Sequence, residues 1–167
     1  SKHLTEVPPV LQLDGIWVTI QQSQETIKPD KRKRQRRKRS GKQRVILVAL
    51  GFWPDGRREI LDWHVADSED HQEWEVLVHR LWEHGCCPEK GLRLVVRDGS
   101  GGLGEALALV YGTTVPEQRC LFHKLQNVSK KARTELKGKE NQEQRQHLME
   151  QAAAIYQADT AIQAQTR

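Results

Sequence analysis

LRLVVRDGSGGLGEALAL, residues 92–109, begins as an apolar run rich in branched side chains, meets a carboxylate at Asp98 and passes through a glycine-rich turn into a second apolar stretch. A strand, a turn and a helix is the local reading, and two chemistries share it. Gly99, Gly101 and Gly104 satisfy G-x-G-x-x-G, the spacing that brings a pyrophosphate onto a helix N-terminus. Asp98 instead offers a carboxylate at the end of a buried strand, which costs stability unless it is paired or coordinates a cation. A dinucleotide site needs its glycines in the first strand-to-helix turn, with an acid about twenty residues further on. Phe122, His123, Lys124 and Leu125 occupy that region, and none is acidic. The cradle is set aside, and a plain turn or helix cap is the simpler alternative to a metal at Asp98.

Upstream, VLQLDGIWVTI (10–20) alternates and is rich in branched residues, so it predicts a strand with Asp14 inside it. QRVILVALGFW (43–53) predicts a second strand, Pro54-Asp55-Gly56 a turn, and RREILDWHV (57–65) a third strand, which together form an antiparallel meander. The period then changes. In SEDHQEWEVLVHRLWEHG (68–85), Trp74, Leu77, Val78, Leu81 and Trp82 fall on one helical face, expected to be core, with Ser68 as a start and Gly85 as a stop. After the glycine-rich turn a helix is expected over 103–111 and a fifth strand in QRCLF (118–122). A polar helical region follows from about His123 into the Gln-, Ala-, Glu- and Lys-rich residues 135–167. The order β, β, β, α, β, α, β, α specifies an α/β fold, a mixed sheet with helices packed against it.

A chain of 167 residues allows one domain with a real core and a tail. The net charge is +5, yet KRKRQRRKR (31–39) alone holds eight basic residues, so the remainder is net acidic. Such a tract stays solvated and binds phosphates by counterion release, or is simply a charged loop. No apolar run is long enough to predict a membrane span. Three cysteines, with Cys86 and Cys87 adjacent, make no disulfide framework and fit a reducing, cytoplasmic setting. Beginning at Ser1 and running out in a helical pattern, the chain reads as a piece of a longer protein.

Asp14 changes the weight of Asp98. Two carboxylates on the first and fourth strands of a βββαβ order converge if those strands are neighbours, as in the ribonuclease-H-like fold. Two hard cations about 4 Å apart need carboxylate oxygens held between them to activate an attacking oxygen and stabilise a leaving one.

The blocks LDGIWVTI, VALGFWPDGRREIL, SEDHQEWEVLVHRLWEHG, VVRDGSGGLGEAL and VPEQRCLFHKLQN, spread over about residues 11–131, resemble the Mutator-type transposases, including those of bacterial insertion sequences. Cys120-x-x-His123 is the most specific block. The resemblance implies a ribonuclease-H-like catalytic core over 1–131, a basic insertion loop at about 21–42, and the start of a helical insertion domain at 132–167. It implies that Asp14 and Asp98 are the first two acids of an Asp-Asp-Glu triad, both catalytic and metal-binding. Mg²⁺ or Mn²⁺ would be the cofactor, DNA at transposon ends and target sites the partner, and a homo-oligomer across paired ends a working form. It gives Cys120 and His123 a supporting role near the metal. By themselves these two are half a zinc site, or a small apolar cysteine followed by a helix-starting histidine, and no bound zinc is expected.

Glu135, Glu140, Glu143 and Glu150 lie in what resembles the helical insertion, so the third acid is expected beyond Arg167. The nucleic-acid contacts are expected at Lys31, Arg32, Lys33, Arg34, Arg36, Arg37, Lys38, Arg39, Arg119 and Lys124, with solvated surface charge as the alternative for the last two. Trp53, beside the hairpin turn, is a candidate for stacking on a flipped base. The competing function is a non-catalytic nucleic-acid-binding protein derived from a transposase.

Overall fold

In this computed structural model the described residues are 4–22 and 40–166. The tract Lys31 to Arg39 lies outside them. β1 (Val10–Gln22) and β2 (Ser40–Phe52) pair antiparallel in continuous register, from Val10 opposite Phe52 to Gln22 opposite Ser40. β3 (Arg58–Ala66) pairs antiparallel with β2, and a bulge at Leu61 separates the pairs Ala49–Asp62 and Leu50–Ile60. The turn between β2 and β3 closes as its Pro-Asp-Gly signal predicts: Gly56, at φ 87°, donates its N–H to the Trp53 carbonyl at 3.0 Å.

α1 (His71–Glu83) begins two residues later than Ser68 suggested. Asp70 is the cap, its Oδ1 accepting the Glu73 N–H at 3.1 Å, and the Ser68 hydroxyl donates to the other carboxylate oxygen at 2.5 Å. Trp74, Leu77, Val78 and Leu81 are buried as their spacing requires. Trp82 departs from the expected core: it is 37% exposed and meets the Tyr111 ring at 5.5 Å on the helix flank. Gly85, at φ 93°, ends the helix, with its N–H bonded to the Trp82 carbonyl at 2.8 Å.

After a 3₁₀ turn at Pro88–Lys90, β4 (Leu94–Arg97) starts beside the start of β1, where the N–H groups of Arg93 and Leu94 both donate to the Pro9 carbonyl. α2 (Gly101–Tyr111) opens from the glycine-rich turn, and β5 (Glu117–Arg119) is shorter than the expected strand because Leu121 already belongs to α3 (Leu121–Glu135). α4 (Gln142–Tyr156) and α5 (Ala161–Thr166) follow. The sheet order is β3-β2-β1-β4-β5. The chain is therefore α/β, with a mixed five-stranded sheet and the element order read from the sequence.

The described residues form two compact units. One comprises the chain to Val95 with Ser100–Glu117, the other Val96–Gly99 with Gln118 onward. The first holds the core: Leu11 and Leu13 of β1, Val45, Leu47 and Ala49 of β2, and the inner faces of α1 and α2. Gly102 makes the helix pair close, since a Cβ there would lie 2.8 Å from His71 N and 3.0 Å from the Asp70 carbonyl carbon. The Tyr111 hydroxyl donates to the Cys86 carbonyl at 2.8 Å. Among the described residues, the other face of the meander, which also carries Asp14, leaves apolar side chains exposed, with Ile60 65%, Trp63 58% and Ile16 51% exposed and Val65 beside them. In the second unit, α3 packs on α4, Ala132 is buried, and Arg145 on α4 donates to the carbonyls of Leu136 and Gly138, tying down the loop between the helices.

Candidate functional site

Asp14 is half-buried in β1, and its Oδ1 accepts the Gly15 N–H at 2.9 Å. Strand alternation sends Leu11 and Leu13 to the core and Asp14 to the other face, opposite Val48. The pleat thus spares this carboxylate full desolvation.

Gly15 brings in an acid that the sequence did not single out. A Cβ on Gly15 would stand 2.7 Å from Glu69 Oε1 and 2.8 Å from its carboxyl carbon, so the missing side chain is what lets the Glu69 carboxylate rest against this backbone. Glu69 Oε2 in turn accepts the indole N–H of Trp17 at 3.3 Å. Glu69 precedes the α1 cap and carries no motif, so only the fold could reveal it. Trp53, the expected stacking residue, is 6% exposed under the Arg57 guanidinium at 4.2 Å, and is unavailable to a base.

Asp98 follows β4 directly and is half-buried. The glycine after it has a steric reason: a Cβ on Gly99 would occupy the position of the Arg119 guanidinium, so Arg119 lies against the turn that carries Asp98. Cys120 is the residue before α3, its N–H donating to the Arg97 carbonyl at 2.6 Å, and His123 stands in the first turn with its ring edge-on to Phe122 at 5.6 Å. Cys120 is therefore a helix-entry residue rather than a mid-strand one. Lys124 places its ammonium over the Tyr156 ring at 5.6 Å. Arg119 is exposed and Lys124 half-buried.

Carboxylate oxygens are the donors that Mg²⁺ and Mn²⁺ prefer, and Asp14 and Asp98 belong to or directly follow strands that are sheet neighbours. The donor type fits such a cation. Among the described residues no three His, Cys, Asp or Glu side chains gather as a metal-binding group. Burial pushes the Cys86 thiol up to about 12.

Comparison with known proteins bears on this geometry. The family model described as Transposase, Mutator family, matches residues 30–167, a span that includes Asp98, Cys120 and His123 and begins after β1 with its Asp14. The chain is 30% identical over 122 residues to the transposase for insertion sequence element IS905 of Lactococcus lactis subsp. lactis (strain IL1403), covering 71% of this chain and 28% of that protein. It is 38% identical over 86 residues to the transposase for insertion sequence element ISRM5 of Rhizobium meliloti (strain 1021), covering 50% and 20%. It is 33% identical over 81 residues to the transposase for insertion sequence element IS256 in transposon Tn4001 of Staphylococcus aureus, covering 48% and 20%. The chain spans less than a third of the length of each of these relatives.

Proposed function

The chain belongs to the Mutator family of transposases, and from that premise we propose that it carries part of a ribonuclease-H-like catalytic core acting on DNA in the cytoplasm, with Asp14 and Asp98 as its first two acids. The observation that carries this reading is the strand order: β1 and β4 are adjacent, Asp14 lies within β1 and Asp98 directly follows β4. When bound, a pair of Mg²⁺ or Mn²⁺ ions would activate the oxygen that attacks the phosphodiester and stabilise the one that leaves. Asp14 and Asp98 would hold those ions. Arg119, lying against the Asp98 turn, is suited to meet a phosphate oxygen, and Lys124 to follow the backbone beyond it. Cys120 and His123 form the α3 entry, which supports the Asp98 turn through the Arg97 carbonyl. The basic tract 31–39 adds sequence-independent affinity by counterion release. The third acid is expected outside this chain, and assembly across paired DNA ends belongs to the same proposal.

Calorimetric titration with Mn²⁺ tests it. Binding should be measurable in the wild type and at least 10-fold weaker in both Asp98→Ala and Asp14→Ala. Equal heats in all three proteins would overturn the assignment. DNA binding that is steeply salt-dependent and lost on deleting residues 31–39, accompanied by equal Mn²⁺ heats, would make the chain the non-catalytic binder instead.

A further inference from the structure

α3 and α4 flank a cavity of about 210 Å³ that the proposed metal site does not use. Ser129 and Arg133 line it from α3, Gln142, Arg145 and Gln146 from α4, and among the described residues no carboxylate does. Sites for whole small molecules are commonly about 300–1,000 Å³ and largely apolar. A smaller cavity with two guanidinium groups suits a single anionic group instead. Like charges beside one cavity repel, and an anion between them removes that cost. Arg145 is held by neutral partners, its Nη1 donating to the Leu136 carbonyl and, at 2.8 Å, to the Gly138 carbonyl. Those bonds fix the side chain without cancelling its charge. Arg133 is exposed, and neither arginine forms an ion pair among the described residues. Two acids of the same helical hairpin are engaged elsewhere, Glu140 resting against Gly138 and Glu150 accepting from Gln146. The surrounding sequence is basic as well: residues 119–139 hold seven basic residues and one acid, in a chain that is net acidic outside the tract 31–39.

We propose that this cavity seats a phosphate of the DNA backbone, with Arg133 and Arg145 as its two cationic partners. This rests on the reading of the chain as a transposase core. A guanidinium presents paired N–H donors that match phosphate oxygens, which a lone ammonium cannot do. An arginine already anchored, as Arg145 is, gives up little freedom when the anion arrives. A phosphate contact carries no sequence information, so the seat holds the helical hairpin against the duplex and leaves the choice of site to other groups.

The test measures binding of the full chain to a labelled duplex by fluorescence anisotropy across a series of KCl concentrations, in buffer containing EDTA. Each phosphate contact adds about 0.9 to the steepness of log K against log salt. Arg133→Gln should make that slope shallower by about 1, and should weaken binding equally for two unrelated sequences. Arg133→Lys should recover the slope, because the charge returns. Lys130→Gln removes the same charge from a neighbouring position outside the cavity and should keep the wild-type slope. Equal slopes in wild type and Arg133→Gln, or equal losses in Arg133→Gln and Lys130→Gln, would refute the seat. Inorganic phosphate, followed through the arginine Nε–H signals by NMR, separates the two sources of the anion. If it shifts the Arg133 and Arg145 signals while the DNA slopes stay equal, the cavity takes a free phosphate and the assignment to DNA falls. No metal is present, so these outcomes are independent of the Mn²⁺ titration: equal heats there would remove the catalytic reading and leave the salt slopes standing.

Discussion

Gly102 and Gly101 are neighbours in one glycine-rich turn, yet they have different physical tasks. A methyl group on Gly102 would press on the backbone of Asp70 and His71, which cannot swing aside as a side chain can, whereas nothing lies within 4 Å of the same addition at Gly101. Gly102→Ala is therefore expected to destabilise the protein by about 1–3 kcal/mol. Gly101→Ala should be neutral or stabilising by up to about 1 kcal/mol, because alanine favours the helix. Urea unfolding monitored by circular dichroism separates the two, and equal midpoints would remove the packing argument. Gly99 has a third task, leaving room for Arg119. Spacing alone suggested one shared role, a phosphate cradle, and the residues show separate steric ones.

At the scale of elements, the β, β, β, α, β, α, β order was legible because each segment keeps one hydrophobic period from end to end. The alternation of β1 and the i, i+3, i+4, i+7 stripe of α1 are set by local geometry, which sequence exposes directly. The boundaries were less legible. QRCLF divides between β5 and α3, since Cys120 must deliver its N–H to Arg97, a demand from a residue far away in the chain. For the same reason Glu69 and Trp17 could not be joined in advance: 52 positions separate them. The strand patterns placed Asp14 within β1 and Asp98 at the end of β4, whereas the burial of Trp53 depends on contacts that the pattern does not show, with Arg57 over the ring and Gly51 beside it. The start of α1 gives a pH-dependent prediction. The Ser68 hydroxyl, and then the Glu73 backbone N–H, hold the Asp70 carboxyl below the usual carboxylate range. Its contribution is complete above the unfolded carboxylate pKa and is lost as pH falls through the depressed folded value. Asp70→Ala should thus be less stable than wild type at neutral pH, with the gap closing in acid. Thermal melts across that range check it, and a gap that widens on acidification would contradict the capping role.

Across the whole molecule, apolar burial is distributed unevenly. The continuous core joins β1, β2, α1 and α2, whereas α3 buries Ala132 and α4 buries no residue fully among those described. Local opening is easiest where few apolar contacts must be broken. Hydrogen–deuterium exchange should accordingly run at least 10-fold faster in α3, α4 and α5 than in β1, β2 and α1. Uniform protection would show that the helical part is held by more than its own packing. The exposed apolar side chains of the meander among the described residues, Ile16, Ile60, Trp63 and Val65, have a consequence of a different kind, for colloidal behaviour at the bench. Greasy surface of this sort makes molecules adhere without specificity. Because hydrophobic attraction weakens on cooling, concentrated stocks of the chain should stay clear in the cold room and turn turbid as they warm.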